Sequence, residues 1–155
     1  MPHTKPLLDA PRRGLLLAMA GIGLATLARP ARACDFYSAT MRIWHPWTRA
    51  TRVDADTAIL CMRFDEVQRD DRLISVTTPV AAGVRLVGPD VKAGEAFTLE
   101  IPAGRELTLK EDGLHIELVD LQMPLQIGRS FPLQLGFEHG GQVNALLNVD
   151  YGSFR

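Results

Sequence analysis

The sequence has few of the features that usually mark an enzyme. It contains only two cysteines, Cys34 and Cys61, and their separation is far from the C-x-x-C spacing of redox enzymes. No glycine-rich phosphate loop and no H-E-x-x-H zinc motif occurs, and no serine stands in a nucleophile elbow. We therefore expect a protein that is not an enzyme.

Long apolar runs are also absent, except near the start of the chain. Paired arginines precede an uncharged apolar run at residues 14–28, and an Ala-Arg-Ala triplet ends at residue 33. This pattern is typical of a cleavable signal, and the run is short for a membrane span. We predict that residues 1–33 are an export signal helix and that residues 34–155 form one periplasmic domain with no stable membrane insertion. The paired arginines fit a twin-arginine signal, and a Sec signal would use similar parts, so the export route stays open.

Basic residues are scarce in the predicted domain. Residues 1–33 contain five of the 17 basic residues and one of the 18 acidic residues, so residues 34–155 carry a net charge near −5. An acidic domain repels a phosphate backbone, and no stripe of basic residues with interleaved aromatic residues occurs. We therefore exclude nucleic acid as a partner.

Alternating apolar residues predict short strands through the rest of the chain. Residues 107–110 and 114–118 both alternate, with a turn between them that ends in glycine, and this predicts a hairpin. Successive side chains of a strand point to opposite faces, so His115 and Glu117 project together from the polar face. About eight or nine such strands predict an all-β, two-layer antiparallel sandwich.

Cys34 and Cys61 could form one disulfide, because an exported protein reaches a compartment where disulfides form. A disulfide between them would tie the start of the domain to a strand. Two other interpretations stay open, namely thiolate ligands for a soft metal and a pair of free thiols, one terminal and one buried. Lipid attachment at Cys34 is disfavoured because Arg32 stands where a lipoprotein signal has a small residue.

Four segments resemble a known family. Residues 101–128 contain I-P-A-G, E-L-T-L-K, a turn ending in glycine, H-I-E-L and P-L-Q-I-G, and residues 131–143 read F-P-L-Q-L-G-F-E-H-G-G-Q-V. Residues 45–51 read H-P-W-T-R-A-T, and residues 77–86 read T-T-P-V-A-A-G-V-R-L. In this order the segments resemble the periplasmic copper chaperone family of the PCuAC type, over most of the chain after the leader.

The resemblance implies a cupredoxin-like Greek-key sandwich that binds or delivers copper for assembly of a copper enzyme. A copper-receiving protein, such as an oxidase subunit or an assembly factor, is the partner that it implies. The resembled family binds copper through two histidines and two methionines. Here Val87 stands in the place of the first histidine, and the following loop, residues 88–96, has no methionine. His115 matches the second histidine, but Glu117 replaces the methionine two residues later.

Two interpretations of His115 and Glu117 stay open. An imidazole with a carboxylate suits Cu(II) or Zn(II), so the pair could begin an altered divalent-metal site with further donors. The candidates for those donors are His45, Met62, Met123 and His139. Alternatively, the pair is a hydrogen-bonded part of a polar sheet face, in a metal-free envelope protein that acts as an interaction partner.

Overall fold

A computed structural model describes residues 34–151 of the chain, and all regular structure in this part is β-strand. The predicted export signal lies outside the described residues. Residues 34–151 contain no helix that could span a bilayer. The ten strands are β1 (Asp35–Tyr37), β2 (Arg42–Arg49), β3 (Thr57–Asp65), β4 (Asp71–Thr77), β5 (Ala81–Val87), β6 (Leu99–Ile101), β7 (Leu107–Thr108), β8 (His115–Leu121), β9 (Ser130–Phe137) and β10 (Gly141–Asp150).

The strands pair in an order that differs from their order in the sequence. Neighbours run β5, β8, β3, β2, β10, β9, β4, β6, with β1 added to β2 and β7 added to β3. Strands distant in the chain thus lie side by side, as Greek-key connections require. The predicted cupredoxin-like sandwich is confirmed. One detail departs from an all-antiparallel sheet, because β2 and β10 run parallel, whereas the other described pairs are antiparallel.

β3 is the strand on which the two layers meet. Residues 57–60 pair with β8, residues 63–64 pair with β7 along the same edge, and the opposite edge pairs with β2. Alternate side chains of β3 enter the core, and each is at most 6% exposed: Ala58, Leu60, Met62 and Phe64. β3 therefore anchors β8, the strand that carries the predicted site, to the centre of the protein.

The predicted hairpin between residues 107–110 and 114–118 is wrong in its pairing. β7 and β8 do not form a ladder with each other, since both pair with β3, one after the other. The tight turn between them is real: the Lys110 N–H donates to the Leu114 carbonyl over 2.8 Å, and the Gly113 N–H donates to the Lys110 carbonyl over 3.1 Å. The turn keeps the chain on one edge of β3 and so leaves the other edge of β8 for β5.

Asp71, at the start of β4, is a buried carboxylate that joins three segments of the chain. It is 3% exposed, and its Oδ2 accepts a hydrogen bond from Thr40 Oγ1 over 2.7 Å. Its Oδ1 accepts from the N–H groups of Arg72 over 2.8 Å and His139 over 2.9 Å. Burial raises the pKa of Asp71, but these hydrogen bonds outweigh it and hold the pKa below its ordinary value.

Candidate functional site

His115 and Glu117 lie on one face of β8, as the alternation predicts. Ile116 and Leu118, which alternate with them, are fully buried in the core, whereas His115 and Glu117 are half-buried on the opposite face. The His115 Nδ1 atom lies 2.8 Å from the Gly113 carbonyl oxygen. A carbonyl oxygen accepts hydrogen bonds and cannot donate one, so Nδ1 carries a proton, and in the neutral imidazole the lone pair is on Nε2.

Glu117 is engaged by Arg85 of the neighbouring strand. The two residues stand directly opposite each other in the β5–β8 ladder, and Arg85 Nε donates to Glu117 Oε2 over 2.6 Å. This charged hydrogen bond holds the pKa of the Glu117 carboxyl below its ordinary value, although partial burial opposes the shift. The carboxylate is thus ionised and compensated by a guanidinium. A cation that binds Glu117 has to compete with Arg85.

Val87 stands directly opposite His115 in the same ladder. In the motif of the resembled family this position holds the first histidine, whereas valine stands there in this chain, so the pair contains one imidazole. Beside the pair lies a groove of about 710 Å³, which residues 85–96 line together with residues 98–100, Leu114 and Glu117. No thiol or thioether lines this groove, so it offers no soft sulfur donor to a metal.

The other predicted donors are not brought to this face. Met62 is 2% exposed and packs in the core, and Met123 is 44% exposed in the connection between β8 and β9. His45 is buried with its Nε2 atom 3.6 Å from Asp150 Oδ2, and burial lowers the pKa of this imidazole. His139 lies beside Glu138 in the turn after β9. Within residues 34–151, no three or more His, Cys, Asp or Glu residues are grouped so that they could hold a metal ion.

Cys34 and Cys61 are both free thiols in the structure. Cys34 precedes β1 on one edge of β2, whereas Cys61 lies in β3 on the opposite edge. Neighbouring strands are about 4.8 Å apart, so two strands separated by β2 lie roughly 10 Å apart, beyond the reach of a disulfide. The disulfide considered from the sequence is therefore not formed here. Burial, with a smaller effect of Glu111, raises the pKa of the Cys61 thiol to about 12, which disfavours a thiolate ligand.

Arg85 is the residue of this face that the sequence analysis did not identify. It lies two residues before Val87, so strand alternation alone places both side chains on one face of β5. Its pairing with Glu117 could not be predicted, because it depends on the register between two strands about 30 residues apart in the chain.

The comparisons with known proteins agree with this fold. A copper-bound PCuAC domain from PmoF2 is 28% identical with a TM-score of 0.67, and the match covers 75% of this chain and 97% of that domain. The apo PmoF2 PCuAC domain is 29% identical with a TM-score of 0.66, covering 75% and 94%. The solution structure of CuI-DR1885 from Deinococcus radiodurans is 26% identical with a TM-score of 0.52, covering 66% and 76%. No curated protein gives a match.

The family comparison covers most of the described strands. The family model described as LpqE-like, a lipoprotein family, matches residues 41–149, which is well over half of the chain. The resemblance to PCuAC-type proteins is therefore confirmed by both sequence and fold. The chain belongs to the LpqE-like family and has the fold of a PCuAC domain.

Proposed function

We propose that this protein is an exported copper chaperone that carries copper on the β5–β8 face and passes it to a copper-receiving protein in the periplasm. Membership of the LpqE-like family and the likeness to a copper-bound PCuAC domain support this proposal. An oxidase subunit or an assembly factor would be such a recipient. The observation that carries the proposal is the imidazole of His115, which sits on the polar face of β8 with Nδ1 bound to the Gly113 carbonyl.

His115 would be the first copper ligand. The hydrogen bond from Nδ1 fixes the tautomer that presents the Nε2 lone pair, and a carbonyl oxygen bound to the other ring nitrogen commonly orients a metal-binding histidine. Glu117 would be the second ligand once Arg85 turns away, and the guanidinium side chain is 63% exposed, so water can replace Glu117 as its partner. Nitrogen and oxygen donors favour Cu(II) over Cu(I).

Two protein donors leave the remaining coordination positions of copper to water or to groups of the recipient. A cargo ion held this way is exchanged readily, because an incoming ligand can bind before the outgoing one leaves. Transfer would be ligand exchange without covalent bond chemistry, which needs neither a nucleophile nor a general base. The groove beside Glu117 would give the recipient access to this face.

A metal-free role in the envelope is the second candidate, and one observation favours it. Arg85 already neutralises the Glu117 carboxylate without a metal, and Val87 opposite His115 supplies no second donor. In that case the sandwich would act as an interaction partner of another protein, and its copper-binding relatives would share the scaffold alone.

Copper titration separates the two candidates. We expect the purified protein to bind one equivalent of Cu(II), to bind Cu(I) more weakly under reducing conditions, and to lose the Cu(II) site in His115→Ala. His139→Ala is the matched control, since His139 is also an accessible histidine but lies in the turn between β9 and β10. Absence of stoichiometric binding in both oxidation states would leave the interaction partner as the function.

A further inference from the structure

A second cavity lies where the described part of the chain begins and ends. Its volume is about 610 Å³, which falls within the range of roughly 300 to 1,000 Å³ that is usual for small-molecule sites. Its wall contains Trp44 of β2, Val149 of β10, and two exposed apolar residues, Ile127 at 40% and Tyr151 at 78% exposure. None of its lining residues belongs to β5 or β8, so it is separate from the proposed copper face.

The backbone of β2 is irregular beside this cavity. His45, which also lines the cavity, has a left-handed φ of 48°, and the pairing of β2 with β3 is interrupted between Trp44 and Trp47. A left-handed conformation at a buried residue other than glycine costs free energy, and such positions cluster at binding sites. The Arg63 guanidinium stacks 4.4 Å from the centre of the Trp44 ring and holds the indole in place.

Two charged side chains line the cavity, and they differ in whether they already have partners. Asp150 is already engaged, since its Oδ1 accepts from the Tyr151 N–H over 2.7 Å and its Oδ2 lies 3.6 Å from His45 Nε2. Arg129 is exposed at the same cavity, and its guanidinium has no ion pair or hydrogen bond with any residue between 34 and 151. The cavity thus combines an apolar wall, a carboxylate that already has partners, and a guanidinium that has none among these residues.

From this arrangement we infer that the cavity binds a small amphipathic carboxylate, with its apolar body against Trp44, Ile127 and Tyr151 and its carboxylate on Arg129. A guanidinium matches the two oxygens of a carboxylate in a bidentate geometry. With Arg129 and Asp150 both at the cavity, a bound carboxylate would leave one net negative charge, whereas a phosphate dianion would leave two. A carboxylate is therefore the better fit. This inference does not depend on the proposed copper function.

Octanoate is the probe for this site, and Trp44 is its reporter. Trp47, the other tryptophan, is 7% exposed and does not line the cavity, so its emission stays constant. We expect octanoate to change the fluorescence saturably in the wild type and in His115→Ala, and to give no change in Trp44→Phe. Arg129→Gln should weaken octanoate binding about tenfold, as loss of a charge-assisted hydrogen bond predicts, and leave octanol binding unchanged.

Arg69→Gln is the matched control, because Arg69 is also exposed and without an ion pair among residues 34–151 but lies outside the cavity. Thermal melts should show that both variants fold like the wild type. Absence of saturable binding, or an equal loss of affinity in Arg69→Gln and Arg129→Gln, would overturn the inference. Binding of a peptide with a free C-terminal leucine, without binding of octanoate, would assign the cavity to a protein terminus and would also overturn it.

Discussion

Replacing Arg85 by glutamine should strengthen Cu(II) binding on the β5–β8 face. Arg85 Nε donates to Glu117 Oε2 over 2.6 Å, so a metal ion that uses this carboxylate first has to displace the guanidinium. Glutamine keeps most of the aliphatic stem that covers the sheet and removes the charge. If His115 and Glu117 are both ligands, the substitution removes a competitor without removing a donor.

The expected gain has two parts. An ion pair with one exposed member contributes about 0.2 to 1 kcal/mol, and this contribution no longer has to be broken. A guanidinium about 6 Å from a divalent ion, in a water-like dielectric, repels it by about 1.4 kcal/mol before screening by salt. Together these effects predict tighter binding by roughly 1 to 2 kcal/mol, which is about 5- to 30-fold in Kd.

Isothermal titration of Cu(II) against a competing chelator measures this change. Arg72→Gln is the matched control, because Arg72 also carries an exposed ion pair, 2.9 Å from Glu138, but lies on β4. Adding Glu117→Gln to Arg85→Gln should cancel the gain. Equal Cu(II) affinity in Arg85→Gln and the wild type, or the same increase in Arg72→Gln, would show that Glu117 is not a ligand.

Three further predictions follow from other contacts. Val87→His combined with Glu117→Met places an imidazole opposite His115 and adds a thioether, so Cu(I) affinity should rise in a chelator competition. Asp71→Asn should lower the free energy of unfolding in urea by roughly 2 to 4 kcal/mol, because all three of its hydrogen bonds lose the assistance of the negative charge. Because the pKa of Asp71 is lowered in the folded state, its contribution to the free energy of unfolding is complete above the unfolded-state pKa of about 3.9. That contribution is lost as the pH falls through the folded-state pKa. Asp71→Asn should therefore make the free energy of unfolding less dependent on pH in the acid range. In a thiol assay at pH 8, Cys34 should react in the folded protein and Cys61 after denaturation, because Cys61 is 1% exposed and its pKa is about 12.

Each of these predictions has an outcome that contradicts it. Unchanged Cu(I) affinity in the double variant would mean that the register between β5 and β8 differs from the one described. Wild-type stability and an unchanged pH dependence in the acid range in Asp71→Asn would mean that its hydrogen bonds contribute nothing net. A total of zero thiols under denaturing conditions would reveal a disulfide between Cys34 and Cys61, and two reactive thiols in the folded state would show that Cys61 is not shielded.

Properties that depend on a few neighbouring residues could be predicted from the sequence. The alternation in residues 114–118 placed Ile116 and Leu118 in the core and His115 and Glu117 together on the other face, as observed. A period of two follows from the geometry of any extended chain, so it holds whichever strand becomes the neighbour.

Pairing between distant strands could not be predicted in this way. The turn at residues 111–113 favoured a hairpin, but β7 and β8 pair with two different parts of the same edge of β3 instead of with each other. The Arg85–Glu117 contact and the separation of the two cysteines by β2 depend on the same non-local choices. The family motif identified Val87 and His115 as two ligand positions, and the structure places these two residues opposite each other.

Electron paramagnetic resonance of the protein with one equivalent of Cu(II) tests the proposed copper site most directly. We expect a spectrum with coupling to one imidazole nitrogen, which disappears in His115→Ala and persists in His139→Ala. A spectrum of hydrated Cu(II) in the wild type, or an imidazole signal that survives in His115→Ala, would contradict the assignment of His115 as the copper ligand.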